Sequence, residues 1–124
     1  AEPWPLNPQG ELLLGLKIES VQALPRIEEI LAVPGIGFAE MGPGDLSLSL
    51  GYKHQPPPDA WPEEMKQTHQ RVRDACAANN IAFLSSATPE TVVQRIDEGA
   101  RVIAGGREQA AQIGRAHSGR QMPV

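Results

Sequence analysis

The sequence predicts an α/β fold of four strand–helix units, the C-terminal half of a (β/α)8 TIM barrel. Short apolar runs alternate four times with segments of helical periodicity along the 124 residues. This alternation is typical of parallel strands joined by helical crossovers. One unit spans about 30 residues, the length of a strand–helix–strand repeat, and four units are half of an eight-unit barrel. A small open α/β domain is the alternative.

The element boundaries follow from apolar periodicity and from helix-breaking residues. The predicted strands are residues 11–20, 36–41, 81–87 and 101–106. The predicted helices are residues 21–35, 62–80, 88–100 and 107–119, with Thr88 as the N-cap of the third. The run "LSLSLG" (residues 46–51) alternates like a strand, with a short helix as the alternative. We treat 1–124 as a single region with an N-terminal loop at 1–11 and a tail at 118–124.

The composition narrows the classes of partner and compartment. The net charge is −4, so no basic surface suggests nucleic acid. No apolar run approaches the roughly 18 residues that span a bilayer. Cys76 is the only cysteine, which fits a core position and a reducing, cytoplasmic compartment. The opening "AEPWPLNPQGE" has neither an initiator Met nor a targeting pattern, so we expect the C-terminal part of something larger.

Two carboxylates are predicted at the ends of neighbouring strands. Glu19 leaves the first strand in "KIES", and Asp45 follows the second strand in "GPGD", 26 residues later. Ligands of parallel α/β folds sit at the carboxyl ends of strands. A carboxylate pair there can share one Mg²⁺ or Mn²⁺, which prefers oxygen ligands. The glycines beside Asp45 leave backbone N–H groups bare, and these can hold an anionic substrate oxygen. Caps or solvated side chains are the alternative for both acids.

The stretch "LKIES…VPGIGFAEMGPGDLSLSLGY" resembles the HpcH/HpaI family of metal-dependent class II pyruvate aldolases. That family has a strand ending in "I-E-[TS/D]" about 26 residues before "G-P-x-D-L-S". The later "GG" strand end also fits, so the resemblance covers essentially the whole chain. It implies an eight-stranded (β/α) barrel. It also implies cleavage of 2-keto-4-hydroxy acids to pyruvate, or a close analogue, and an aldehyde, or the reverse condensation.

The resemblance assigns roles around the first two strand ends. It implies that Glu19 and Asp45 bind Mg²⁺ or Mn²⁺, with Co²⁺ a further candidate. It implies that the N–H groups of Gly44 and Asp45 hold the pyruvate carboxylate, within a substrate-binding turn that includes Gly42 and Pro43. The metal would contact the carboxylate and the 2-keto oxygen and stabilise the enolate. The family's arginine and base-assisting histidine lie on earlier strands, so the catalytic base is unassigned.

The three histidines match no catalytic position of that family. We expect His69 to be solvated in mid-helix and His54 to lie in the proline-rich loop, where it could approach the site rim. His117 is assigned to the tail.

Lys17 and Glu40 are predicted to form an ion pair beneath the metal site. Side chains alternate along a strand, so Lys17 shares a face with Glu19, and Glu40 shares one with Gly42. A matched pair roughly breaks even where one unpaired buried charge would cost several kcal/mol. Lys17 also suggests a rival Schiff-base mechanism, which needs the neutral amine. The neighbouring carboxylates favour the ammonium form instead.

Two further functions stay open. A related carbon–carbon lyase of the citrate-lyase β-subunit type would act on an acyl-thioester, although no basic patch for coenzyme A is visible. A catalytically incomplete fragment or subunit would bind metal only. The expected partners are a keto acid, an aldehyde, the missing N-terminal half of the barrel and further copies in a homo-oligomer. Four arginines lie near the C-terminal end: Arg101, Arg107, Arg115 and Arg120. They form either a subunit contact or a solvated face.

Overall fold

A computed structural model describes residues 2–120 and has the predicted alternation of strands and helices. The strands are β1 (Leu14–Ile18), β2 (Ile36–Met41), β3 (Ala82–Ser86) and β4 (Ala100–Ala104). The helices are α1 (Ile27–Leu31), α2 (Pro43–Ser49), α3 (Glu63–Ala78), α4 (Val92–Asp97) and α5 (Glu108–Ser118). Strand pairs β1–β2 and β3–β4 are parallel, which confirms the α/β class. No helix within this part of the chain is both long and apolar enough to cross a membrane.

The chain divides into two compact units, and the first comprises residues 1–82. Its β1 and β2 pair in parallel, with Lys17 opposite Glu40 and Ile18 opposite Met41. Helix α3 packs on α1 and β2. The core is made of fully buried aliphatic side chains and the single thiol: Ile27, Leu31, Leu46, Met65, Val72 and Cys76. Burial raises the pKa of the Cys76 thiol to about 11, which fits a core residue and not a nucleophile.

The strand prediction for "LSLSLG" is wrong, and its helical alternative is right. Pro43 occupies the first helical position, where a missing N–H costs nothing, and Gly42 before it is extended. Leu46 and Ser47 are both buried while Leu48 is exposed, so the alternation does not define one buried face. The Ser47 hydroxyl donates to the Gly44 carbonyl at 2.7 Å, which satisfies this buried polar group inside the helix.

The predicted first helix is shorter than its periodicity suggested. Residues 21–23 are turns, Leu24–Arg26 is a 3₁₀ turn, and α1 covers only Ile27–Leu31. Pro25 lies in the 3₁₀ turn, where its fixed φ is tolerated. The predicted loop at the start contains turns and one isolated bridge between Trp4 and Leu13.

The second unit comprises residues 83–124, with β3 paired to β4 and α4 packed on α5. Ala87, Val92 and Ala110 form its buried core. Thr88 is not the N-cap of α4. That position is Thr91, whose Oγ1 accepts the Thr88 N–H at 2.9 Å. The predicted tail at 118–124 begins one residue too early, because α5 continues through Ser118. Residues 121–124 lie outside the described residues.

Candidate active site

The carboxyl ends of β1 and β2 bring a small charged cluster together. The Lys17 Nζ lies 3.6 Å from the Glu40 Oε1 and 3.8 Å from the Glu19 Oε2. Both distances exceed a hydrogen bond, so these are charge contacts. The Lys17 side chain is 56% exposed, whereas Glu19 is 31% and Glu40 19% exposed. The parallel register produces the cluster, because Lys17 and Glu40 are backbone neighbours on one face of the sheet.

The Glu19 carboxylate has one oxygen that nothing in the described chain satisfies. Its Oε2 is buried and has no hydrogen-bond partner among residues 2–120. The 3.8 Å charge contact with Lys17 does not replace a hydrogen bond. A buried carboxylate oxygen without a partner is costly unless a cation or donor meets it. This atom is therefore suited to ligating a cation.

Gly42 provides the space in which Glu19 lies. A Cβ at this position would overlap the Glu19 Oε2 and would sit 3.0 Å from the Glu19 Cβ. The backbone of Gly42 has φ −80° and ψ 97°, so conformational freedom is not why glycine is needed here. Its N–H donates to the Ile18 carbonyl at 3.0 Å, which ties the turn to β1. The sequence predicted Gly42 as a substrate contact and missed this role. A signal was available, because Gly42 lies two residues after Glu40 just as Glu19 lies two residues after Lys17, which places Gly42 next to Glu19.

Asp45 lies in the first turn of α2 and is exposed. It follows Gly42 by three residues, so the turn that accommodates Glu19 also carries Asp45. The first N–H groups of a helix have no intrahelical acceptor. At the start of α2 those groups belong to Gly44 and Asp45, since the Leu46 N–H already donates to the Gly42 carbonyl at 3.0 Å. An acid in a helix's first turn is also favoured by the peptide dipoles.

The donor set fits a hard divalent cation with open positions. Carboxylate oxygens are the ligands that Mg²⁺ and Mn²⁺ prefer, and Mg²⁺ usually keeps several waters. Within residues 2–120, no three His, Cys, Asp or Glu side chains are gathered as a ready metal cage. Glu19 and Asp45 would therefore leave most coordination positions to water and substrate.

Two of the three histidines lie in environments that differ from the sequence predictions. His69 is half-buried, not solvated, and its ring meets Trp61 edge to face with centroids 5.4 Å apart. His117 belongs to α5 and not to a tail, with its Nε2 2.7 Å from the Asp97 Oδ1 on α4. His54 lies in an exposed bend of the proline-rich loop.

The second unit contains a separate cavity of about 510 Å³ beside α4, β4 and α5. Its lining is largely apolar and includes Ile96, Ile103 and Gly114. Of the four arginines singled out in the sequence, Arg101, Arg115 and Arg120 line this cavity. None of the described residues that line the cavity carries a carboxylate, in contrast to the β1–β2 corner.

Comparisons with known proteins agree on one family. The profile of the HpcH/HpaI aldolase/citrate lyase family matches residues 8–114. A 2-keto-3-deoxy-L-rhamnonate aldolase from Escherichia coli K12 is 36% identical over 95 residues, which are 77% of this chain and 34% of that protein. The chain thus spans about a third of the length of the curated relatives it matches.

Solved structures show the same arrangement over part of their length. An HpcH/HpaI aldolase from Desulfitobacterium hafniense DCB-2 is 25% identical, with a TM-score of 0.60 over 91% of this chain and 44% of its own. A citrate lyase from Burkholderia xenovorans LB400 is 17% identical, with a TM-score of 0.69 over 94% of this chain and 41% of its own. At that identity the second likeness shows the fold alone.

Proposed function

Because the chain belongs to the HpcH/HpaI aldolase/citrate lyase family, we propose that it forms part of a divalent-metal-dependent carbon–carbon lyase. The reaction is cleavage of a 2-keto-4-hydroxy acid to pyruvate, or an analogue, and an aldehyde, or the reverse addition. The 36% identity to a 2-keto-3-deoxy-L-rhamnonate aldolase supports a keto-deoxy acid as substrate class. The observation that carries the proposal is the buried, unsatisfied Glu19 Oε2, which lies against Gly42 beside the Asp45 turn.

Each residue of this corner has a proposed task. Glu19 and Asp45 hold the cation, which when bound would stabilise negative charge developing on the 2-keto oxygen. Backbone N–H groups of Gly44 and Asp45 hold the substrate carboxylate, for which the positive end of the peptide dipoles is suited. Gly42 and Pro43 complete the substrate-binding turn. Because glycine has no side chain, Gly42 leaves room for the Glu19 carboxylate.

The whole activity needs residues from more than this region. The chain spans 34% of the aldolase it matches, and the ion pairs at the β1–β2 corner of the described chain join Lys17 to Glu19 and to Glu40. We propose that the anion-stabilising arginine and the base come from further barrel units. Additional copies of the protein would cover the exposed apolar side chains at the start of β1, Leu12, Leu13 and Leu14.

Pyruvate release tests the proposal. The protein, with the further barrel units present, is incubated with Mg²⁺ or Mn²⁺ and 2-keto-3-deoxy-L-rhamnonate, and pyruvate is measured with a coupled lactate dehydrogenase assay. We expect turnover that chelation by EDTA abolishes and that Glu19→Gln or Asp45→Asn lowers by at least about 100-fold. Glu11→Gln and Asp59→Asn, both exposed, are matched controls and should keep wild-type turnover.

Other outcomes separate the alternatives. Turnover that resists EDTA, together with an adduct trapped on Lys17 by borohydride, would replace the metal mechanism with a Schiff base. Cleavage of an acyl-thioester without cleavage of keto acids would favour the citrate-lyase-like function. Manganese binding without any turnover would indicate a metal-binding subunit.

A further inference from the structure

We propose that Lys17 is a built-in competitor of the divalent cation, and that Glu40 sets how strongly it competes. The inference rests on the proposed metal site and adds a positioning pair that tunes its affinity. The Lys17 ammonium reaches both Glu19 and Glu40, with distances that differ by only 0.2 Å (3.8 against 3.6 Å). The Lys17 ammonium is therefore shared between Glu19, a proposed metal ligand, and Glu40, which is not a proposed ligand.

Lys17, Glu19 and Glu40 differ in exposure and in hydrogen bonding, and we assign each a different role. The Glu40 carboxylate is the least exposed of the three and sits within β2, so its position is fixed by the sheet. The Lys17 side chain is more than half exposed and can move its ammonium between the two acids. Glu19 Oε2 has no hydrogen-bond partner among residues 2–120, so either Lys17 or a metal ion can neutralise its charge.

The packing below the cluster limits where Lys17 can go. Gly15, two residues earlier on the same face of β1, is covered by the ring of Phe38, and a Cβ there would overlap that ring. The ammonium cannot retreat along the strand without meeting the ring. The charged partners found within 4 Å of it in the described chain are therefore Glu40 and Glu19.

The charge balance predicts opposite effects for the two members of the pair. Without Lys17, Glu19 loses its resident counter-ion and should bind a divalent cation more tightly. Without the charge of Glu40, Lys17 turns wholly to Glu19 and should weaken binding. We expect each change to be about fivefold, the effect of one unit-charge pair about 4 Å apart in water, since Lys17 is largely solvated.

The test is isothermal titration calorimetry, in which MnCl₂ is added to the metal-free protein. Lys17→Met should tighten Mn²⁺ binding, and Glu40→Gln should weaken it. In the Lys17→Met background, Glu40→Gln should change the affinity less than about twofold, because its effect acts through the lysine. Lys53→Met removes the same charge from an exposed loop and should leave the affinity unchanged.

The double variant separates a specific contact from a general charge effect. Equal weakening by Glu40→Gln with and without Lys17 would overturn the proposal, as would looser binding in Lys17→Met. Thermal unfolding of each metal-free variant checks that the changes in affinity do not follow changes in stability. If Glu19→Gln leaves Mn²⁺ binding unaltered, the proposed function itself fails. If Glu19→Gln weakens binding but Lys17→Met has no effect, only the competition fails.

Discussion

Adding one methyl group at Gly42 should disable the proposed metal ligand without touching its chemistry. A Cβ at residue 42 would overlap the Glu19 Oε2 and would lie 3.0 Å from the Glu19 Cβ and 3.3 Å from its Cδ. Ordinary carbon contacts need about 3.5–4.0 Å, so the Glu19 side chain must move by roughly 1 Å. The backbone angles at Gly42 are allowed for alanine, so the strain falls on Glu19.

The substitution should lower both the affinity for the metal and the stability of the fold. Moving a ligand by disturbing its supporting contact typically costs 10–100-fold in metal affinity, and we expect about tenfold here. The free energy of unfolding should fall by about 1–3 kcal/mol, the usual cost of overpacking, because the Glu19 Cβ must shift as well as its carboxylate. Calorimetric titration with MnCl₂ gives the first quantity, and urea denaturation gives the second.

A double-mutant cycle with Glu19→Gln tests whether Gly42 acts through that carboxylate. If it does, Gly42→Ala should cost little further affinity once Glu19 has lost its charge. Additive losses would contradict the reasoning, because they would mean that the methyl group acts elsewhere. Unchanged Mn²⁺ affinity in Gly42→Ala alone would show that the position of the Glu19 carboxylate does not matter.

Two other predictions concern stability. Gly15→Ala places a methyl group into the Phe38 ring and should lower the free energy of unfolding by about 1–3 kcal/mol in urea titrations; an unchanged midpoint would contradict the packing. Arg71 donates to both oxygens of Glu28, at 2.8 and 2.6 Å, and this lowers the pKa of the Glu28 carboxyl. Its stabilisation is therefore present above the ordinary Glu pKa and is lost as the pH falls through the lowered value. Arg71→Met should cost about 1 kcal/mol at pH 7, discounted for exposure, and less near pH 3, whereas Arg26→Met should cost less at both; a loss independent of pH would contradict the pairing.

The sequence was sufficient for β2, β3 and β4 because their apolar runs are short and bounded by turn residues. The second strand has the predicted limits, 36–41, and the third and fourth differ by one or two residues. The first strand, 14–18, is shorter than its predicted range of 11–20. The period-two rule also puts Lys17 and Glu40 on facing positions, and their charged atoms lie 3.6 Å apart. In a parallel sheet, the alternation of side chains and the strand register together determine which side chains are neighbours.

The helices were harder because capping and packing override periodicity. Alternating Leu and Ser predicted a strand, but Pro43 starts a helix and Ser47 satisfies its hydroxyl within it. The space at Gly42 was also missed, because periodicity says which face a residue occupies and not how closely a neighbour's side chain approaches. Only the relative placement of two turns reveals that Glu19 needs a glycine beside it.

The most direct test is the anomalous scattering of manganese in crystals of the protein soaked with MnCl₂. A single peak should appear at the ends of β1 and β2, with carboxylate oxygens of both Glu19 and Asp45 within about 2.2 Å of it. Glu19→Gln crystals should lose the peak. A manganese ion bound by only one of these carboxylates, or located elsewhere in the protein, would contradict the assignment of this corner as the metal site.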